Sequence, residues 1–221
     1  DLHEFRITES GETALIIGGD RQPYDLTVVG GTPQDGVYDP IVQEVNIETG
    51  DLVWEWNPLY YLDLRHSYRP LDDHHGWEFA HTNAVLKDAD DNYLISYRFY
   101  HSIIKVDGRT NEIIWMLGGM GSDFTFSNGS SFVGQHDPQM TIFDNDCDGV
   151  GNDGPFGTSR GIWVHLNYTT MHVTLLREYV PSVRARAEVE GGIQVLPNGN
   201  VLVAYGSMGR VAEYRHTGDG V

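Results

Sequence analysis

Cysteine is almost absent. Cys147 stands alone in 221 residues, so no internal disulfide can staple the chain, and the redox compartment is left open. Basic residues are scarce too: Lys and Arg total 14 against 32 Asp and Glu, a formal net charge of -18. Nucleic acid and anionic membrane surfaces would be repelled, and a small anion would need a pocket with positive charge of its own. No run of about 18 apolar residues occurs, so no membrane span is expected, and no charged-then-apolar leader precedes "DLHEF". That opening reads as the middle of a strand, which implies either a leader removed or a piece of a longer protein. Also missing are any convincing helical period, a phosphate-cradling glycine loop, a nucleophile-elbow serine and a His-Glu-x-x-His zinc pattern. "GGMGSD" is glycine-rich, but it follows a strand with no helix after it and reads as a loop.

What is present is β pattern. Gly makes up 26 residues, and short apolar runs alternate with turn signals. Two kinds of hairpin recur. "HEFRITESGETALIIGG", "HTNAVLKDADDNYLISYR" and "GGIQVLPNGNVLVAYGS" each join two Leu/Ile/Val/Ala runs through a turn of Gly, Asn or Asp. "IVQEVNIETGDLVWEWN" and "SIIKVDGRTNEIIWMLGG" instead end in Trp54 and Trp115, and "IWVHLNYTTMHVTLLREYV" is a degraded copy with Trp163 at its front. One hairpin of each kind makes a four-stranded sheet, and the unit recurs at roughly 55 residues, as β-propeller blades do. The expectation is an all-β β-propeller of four-stranded antiparallel blades, a single domain over 1–221. About four blades are expected, near 2–57, 79–120, 134–183 and 190–221, with "YYLDLRHSYRPLDDHHG" inserted after the first. The abrupt ends suggest part of a larger ring. A sandwich or an open array of hairpins is the competing architecture.

Aligning the first kind of hairpin places His3, His81 and His136 at one blade position, the start of the innermost strand; in the fourth blade that place falls near Gly191. Innermost strands line a propeller's channel, so these imidazoles are expected at a common mouth. Asn83, two residues beyond His81, is expected on the same strand face. Arg98 is expected on the return strand of that hairpin, in "LISYRF", where Leu94, Ser96 and Arg98 share a face, and it needs either an anionic partner or an exit to water.

Together "DLHEFRIT", "WEFAHTNAVLKDADDNYLISYR", "IIKVDGRTNEIIWMLGGMGSDFTF", "FVGQHDPQMTIFDND" and "GGIQVLPNGNVLVAYG" resemble the arylsulfate sulfotransferase family, and within it the fungal arylsulfotransferase-like proteins. The resemblance covers most of the chain apart from 57–76 and 150–189. It implies a six-bladed ring and an extracytoplasmic enzyme that moves a sulfuryl group from an aryl sulfate to a phenol without a nucleotide sulfate or any required cofactor. It further implies His136 as the nucleophile that becomes sulfated, with His3, His81, Asn83 and Arg98 around the sulfate. Such chemistry suits these side chains, since fixed donors and a cation stabilise charge on the non-bridging oxygens and an imidazole can attack and leave. Asp137 and Pro138, directly after the nucleophile position, are placed to retune it. The competing functions are a non-catalytic binding module on the propeller and a lyase or isomerase using His81 and His136 as an acid–base pair.

Four further features are weighed. Asp144, Asp146 and Asp148 open like a calcium loop, but Pro155 holds the place of the usual bidentate Glu, so an acidic turn is the competing reading. His74 and His75 beside Asp72 and Asp73 read as a polar loop, because neighbours on an extended chain point apart. Trp54, Trp115 and Trp163 read as packing between blades, with an aromatic lip over a phenol as the alternative. The sequons at Asn128 and Asn167 favour secretion and glycosylation.

Overall fold

Strands form wherever apolar alternation is punctuated by a residue that can reverse the chain. A computed structural model describes residues 3–139 and 141–215. Its strands are β1 (Phe5–Ile7), β2 (Thr13–Ile17), β3 (Asp20–Pro23), β4 (Gly36–Asp39), β5 (Val42–Asn46), β6 (Leu52–Trp56), β7 (Thr82–Lys87), β8 (Tyr93–Tyr97) and β9 (Ser102–Val106). They continue with β10 (Ile113–Leu117), β11 (Thr125–Phe126), β12 (Thr141–Asp144), β13 (Arg160–Asn167), β14 (His172–Tyr179), β15 (Gly192–Val195), β16 (Val201–Ala204) and β17 (Val211–Tyr214). Each predicted hairpin closes antiparallel: β1–β2, β5–β6, β7–β8, β9–β10, β13–β14 and β15–β16. The reversals sit where the turn residues predicted them, with Asp91, Asn111 and Gly199 all at positive φ.

The fold is all-β, built of β-propeller blades, and the chain divides into two compact units, Asp1–Gly121 and Ser122–Val221. The first unit holds two four-stranded sheets, β1-β2-β5-β6 and β7-β8-β9-β10, and a separate hairpin, β3–β4, between β2 and β5. Alternate residues of both sheets, among them Leu15, Ile17, Val42, Val85, Ile95 and Ile104, meet in one buried cluster. Each such side chain contributes on the order of 1.5–3 kcal/mol by leaving water. Trp54 stacks on Tyr93 of the neighbouring sheet with ring centroids 3.5 Å apart, so it packs between blades as expected. Beside it the buried Glu44 accepts hydrogen bonds from Thr13 Oγ1 (2.6 Å), Lys87 Nζ (3.0 Å) and the Tyr93 hydroxyl, which ties the two sheets by charge as well as by apolar contact.

In the second unit, the third sheet runs β12-β13-β14 and takes its outermost strand, β11, from upstream and in parallel. The fourth sheet is β15-β16-β17 among the described residues. Phe143, Tyr179, Ile193, Val203 and Tyr205 form the core here, with Trp163 packed against it. The expected blade limits Leu2 and Val221 lie outside the described residues.

Candidate functional site

In the first unit, the lead-in to β7 turns sharply at His81. Its φ is 54°, a left-handed conformation that a residue with a side chain holds only when its surroundings fix it. Two backbone bonds do so here: Arg98 N–H donates to His81 O at 3.0 Å and Phe99 N–H donates to Ala80 O at 3.1 Å. The turn brings His81 Nδ1 to 2.8 Å from Glu78 Oε1. A carboxylate only accepts, so Nδ1 carries the hydrogen, and the buried Nε2 has no hydrogen-bond partner among the described residues. The His3 ring stands edge-on to His81 with centroids 4.8 Å apart, which joins two of the three aligned histidines within this unit.

Two expectations are corrected. Asn83 does not follow the simple strand alternation: His81 precedes β7, and the β7–β8 register shifts between Thr82 and Ala84, leaving Asn83 in a bulge. Arg98 does not continue the strand face of Leu94 and Ser96; the strand ends at Tyr97, and Arg98 opens a short 3-10 turn, Arg98–Tyr100. Both residues are buried, at 5% exposure each.

The insertion after the first sheet folds onto this corner. Its turns are capped by Asn57 and Asp63, whose side chains accept from Leu59 N–H and Arg65 N–H. Ser67 Oγ donates to Phe79 O at 2.6 Å, and Tyr68 N–H donates to Phe99 O at 2.7 Å. These contacts deliver Arg69, whose Nη1 donates to Glu78 Oε2 at 3.3 Å while Nη2 pairs with Asp72. The Arg69 and Arg98 guanidinium carbons lie 4.9 and 5.7 Å from the Phe99 ring centre. Burial pushes the Glu78 carboxyl up, but the hydrogen bond from His81, and then the charges of His81 and Arg69, outweigh it and hold it below the ordinary carboxylate value. Burial, followed by the charge of His81, lowers His3. In a chain of net charge -18, Arg98 and Arg69 are cations at this corner, with Arg69 already paired with Asp72 and Glu78.

His136 occupies the second unit. It bridges β12 through reciprocal backbone bonds with Phe143, of 2.9 and 3.1 Å. Asn145 lies two residues past Phe143, diagonal to His136, and Nδ1 lies 2.8 Å from Asn145 Oδ1 and 3.1 Å from Gly134 O. The amide cannot flip without loss, since Asn145 Nδ2 donates to both Ala187 O and Glu190 O at 2.9 Å. Both neighbours of Nδ1 are therefore acceptors; Nδ1 holds the hydrogen, and in the neutral ring Nε2 holds the lone pair. Gly134 is at φ 65°, and a Cβ there would lie 2.1 Å from Cys147 O, so only glycine lets the approach to His136 lie this close to the 144–148 loop. Asp137 Oδ2 accepts from Ile193 N–H at 3.2 Å, which ties the residue after His136 to β15.

The acidic loop is occupied by its own donors. Asp144 accepts from Val133 N–H, Asp146 N–H and Arg160 Nε; Asp146 from Phe156 N–H, Thr158 N–H and Arg186 Nε; Asp148 from Val150 N–H and Asn152. Among the described residues no three His, Cys, Asp or Glu gather as a metal site, and the oxygens of Asp144, Asp146 and Asp148 brace the loop itself. His74 pairs with Asp35 at 2.8 Å, in the manner of a polar loop.

One comparison decides the family: the model described as Arylsulfotransferase (ASST) matches residues 1–221. The chain belongs to the arylsulfotransferase family. The match is to the arylsulfotransferases as a whole and does not distinguish a fungal branch. No curated protein matches the chain. Among solved structures, a protein of unknown function from Bacteroides caccae is similar at 13% identity and TM-score 0.48, over 96% of this chain and 62% of that one. Virginiamycin B lyase from Staphylococcus aureus is similar at 10% identity and TM-score 0.35, over 92% and 61%. This arylsulfotransferase chain thus spans about three-fifths of the length of those structures. Sequence reasoning on it missed Glu78, Arg69 and Asn145. The signal for Glu78 was its place three residues before His81; that for Asn145 was its place just past the strand that His136 bridges.

Proposed function

We propose that this protein transfers a sulfuryl group from an aryl sulfate to a phenol, with His136 as the transient carrier. The observation that carries the reading is the Asn145-locked ring of His136. A neutral amide partner fixes the tautomer without favouring the imidazolium as a carboxylate would, so a lone pair stays on Nε2. In the first step Nε2 attacks sulfur and the sulfur–oxygen bond to the aryl group breaks, with the proton for the departing phenolate supplied by His81, or by His3 beside it. In the second, the acceptor phenol gives its proton to the same base, its oxygen attacks sulfur, and the nitrogen–sulfur bond breaks. Arg98 and Asn83 are assigned the non-bridging oxygens, whose charge redistributes much as in phosphoryl transfer.

An extracytoplasmic glycoprotein is part of the proposal, supported by the exposure of both Asn128 and Asn167. No helix of the described residues is long and apolar enough to cross a membrane. The test is a transfer assay with a nitrophenyl sulfate donor and a phenol acceptor. Parallel lines in double-reciprocal plots are expected for the wild type and loss of transfer for His136→Ala; equal transfer by that variant would refute the assignment. Tight binding of aryl sulfate without turnover would favour a binding module instead.

A further inference from the structure

Two histidines of the proposed reaction are oriented by different chemistry, an amide at His136 and a carboxylate at His81. We infer that Glu78 is a positioning residue that makes His81 the proton carrier, and that Arg69, delivered by the 57–76 insertion, holds Glu78 in place. The inference rests on the proposed sulfuryl transfer for its function, but its structural content stands on the contacts alone.

The geometry supports each half. Glu78 Oε1 takes the Nδ1 hydrogen at 2.8 Å, which directs Nε2 away from the carboxylate and fixes it as the atom that binds or releases a proton. An anionic neighbour within hydrogen-bond reach favours the imidazolium, as a neutral amide does not, so His81 is suited to give a proton in the first step and take one back in the second, while His136 is not. The second Glu78 oxygen is taken by Arg69 Nη1 at 3.3 Å, and Arg69 is itself braced by Asp72 and the Phe99 face.

The experiment uses the full chain, with ring-nitrogen NMR of the His81 imidazole, assigned by its loss in His81→Gln, and the pH profile of kcat/KM beside it. For Glu78→Gln the amide oxygen can still accept the Nδ1 hydrogen, so the tautomer is expected to persist while the His81 titration falls by about one pH unit, the size that loss of an adjacent opposite charge produces. For Glu78→Ala the same fall is expected together with a mixture of tautomers. Arg69→Met is expected to lower the titration less and to leave the tautomer intact. The limb of the kcat/KM profile assigned to the proton carrier should move with the NMR titration across the set. A Glu78→Gln protein whose His81 titrates as in the wild type overturns the inference, as does a Glu78→Ala protein that retains a single tautomer. If no aryl sulfate is turned over, the proposed function fails, yet the NMR titrations still decide whether Glu78 governs His81.

Discussion

Arg160→Met provides a quantitative test of how the second unit holds the approach to His136. Arg160 and Asp144 are 1% and 0% exposed, and Arg160 Nε donates to Asp144 Oδ2 at 2.9 Å. Arg160 Nη2 also donates to Ser131 O at 3.0 Å, and Asp144 accepts from Val133 N–H at 3.0 Å, so the pair grips the segment leading to His136 from both ends. Methionine keeps most of the stem but leaves a buried carboxylate without its cation, which costs about 3–5 kcal/mol. The loss of the guanidinium over the Phe156 ring, 3.4 Å away, acts in the same direction. Burial already raises the Asp144 carboxyl to about 6 from 3.8. In the variant it rises further, so the folded state binds a proton more tightly than the unfolded chain and the penalty shrinks as pH falls through the folded value. The slope approaches about 1.4 kcal/mol per pH unit. Urea unfolding at pH 8 and pH 5 measures this, with Asp144→Asn and the double variant completing a cycle. The reasoning is refuted if Arg160→Met costs under about 1 kcal/mol at pH 8, if its penalty grows at pH 5, or if the two single losses simply add.

Other outcomes follow from the same contacts. Glu44→Ala strands Lys87, Thr13 and the Tyr93 hydroxyl between two sheets and should destabilise the first unit by about 3 kcal/mol, with Glu44→Gln milder, as read by urea unfolding. Gly134→Ala places a Cβ against Cys147 O at a left-handed φ; it should lower the melting temperature and abolish transfer together. Asp39 is fully buried, and burial, partly opposed by hydrogen bonds, raises its carboxyl to about 6 from 3.8. The folded state then binds this proton more tightly, so its contribution to stability falls by at most about 3 kcal/mol as pH rises from 4 to 6. Asp39→Asn should flatten that part of the stability–pH curve; an unchanged curve would contradict the assignment.

The hairpins were legible because alternation and turn chemistry are local: "DADDN" and "LPNGN" specify reversals that Asp91 and Gly199 then make at positive φ. Strand β11 was not, since a parallel strand that pairs with β14, far along the chain, leaves no turn to read. The β3–β4 hairpin was hidden by Pro23 and by a connection of 12 residues, Tyr24–Asp35. Within the site, the residue types at His3, His81 and Arg98 were readable, but their directions were not. The left-handed turn at His81, the bulge at Asn83 and the 3-10 turn at Arg98 all break the two-residue alternation on which face assignments depend. Arg69 was the hardest to foresee, because an insertion with no periodic pattern gives no sign of which sheet it folds onto.

The central claim is a sulfuryl group carried on His136. Brief incubation of the full chain with an aryl sulfate and no acceptor, followed by mild alkaline digestion and mass spectrometry, tests it most directly. The account predicts an acid-labile SO3 adduct on the peptide bearing His136, cleared when phenol is added and absent from His136→Ala. A wild-type protein that transfers sulfuryl groups with no such adduct, or with the adduct on another residue, would contradict it.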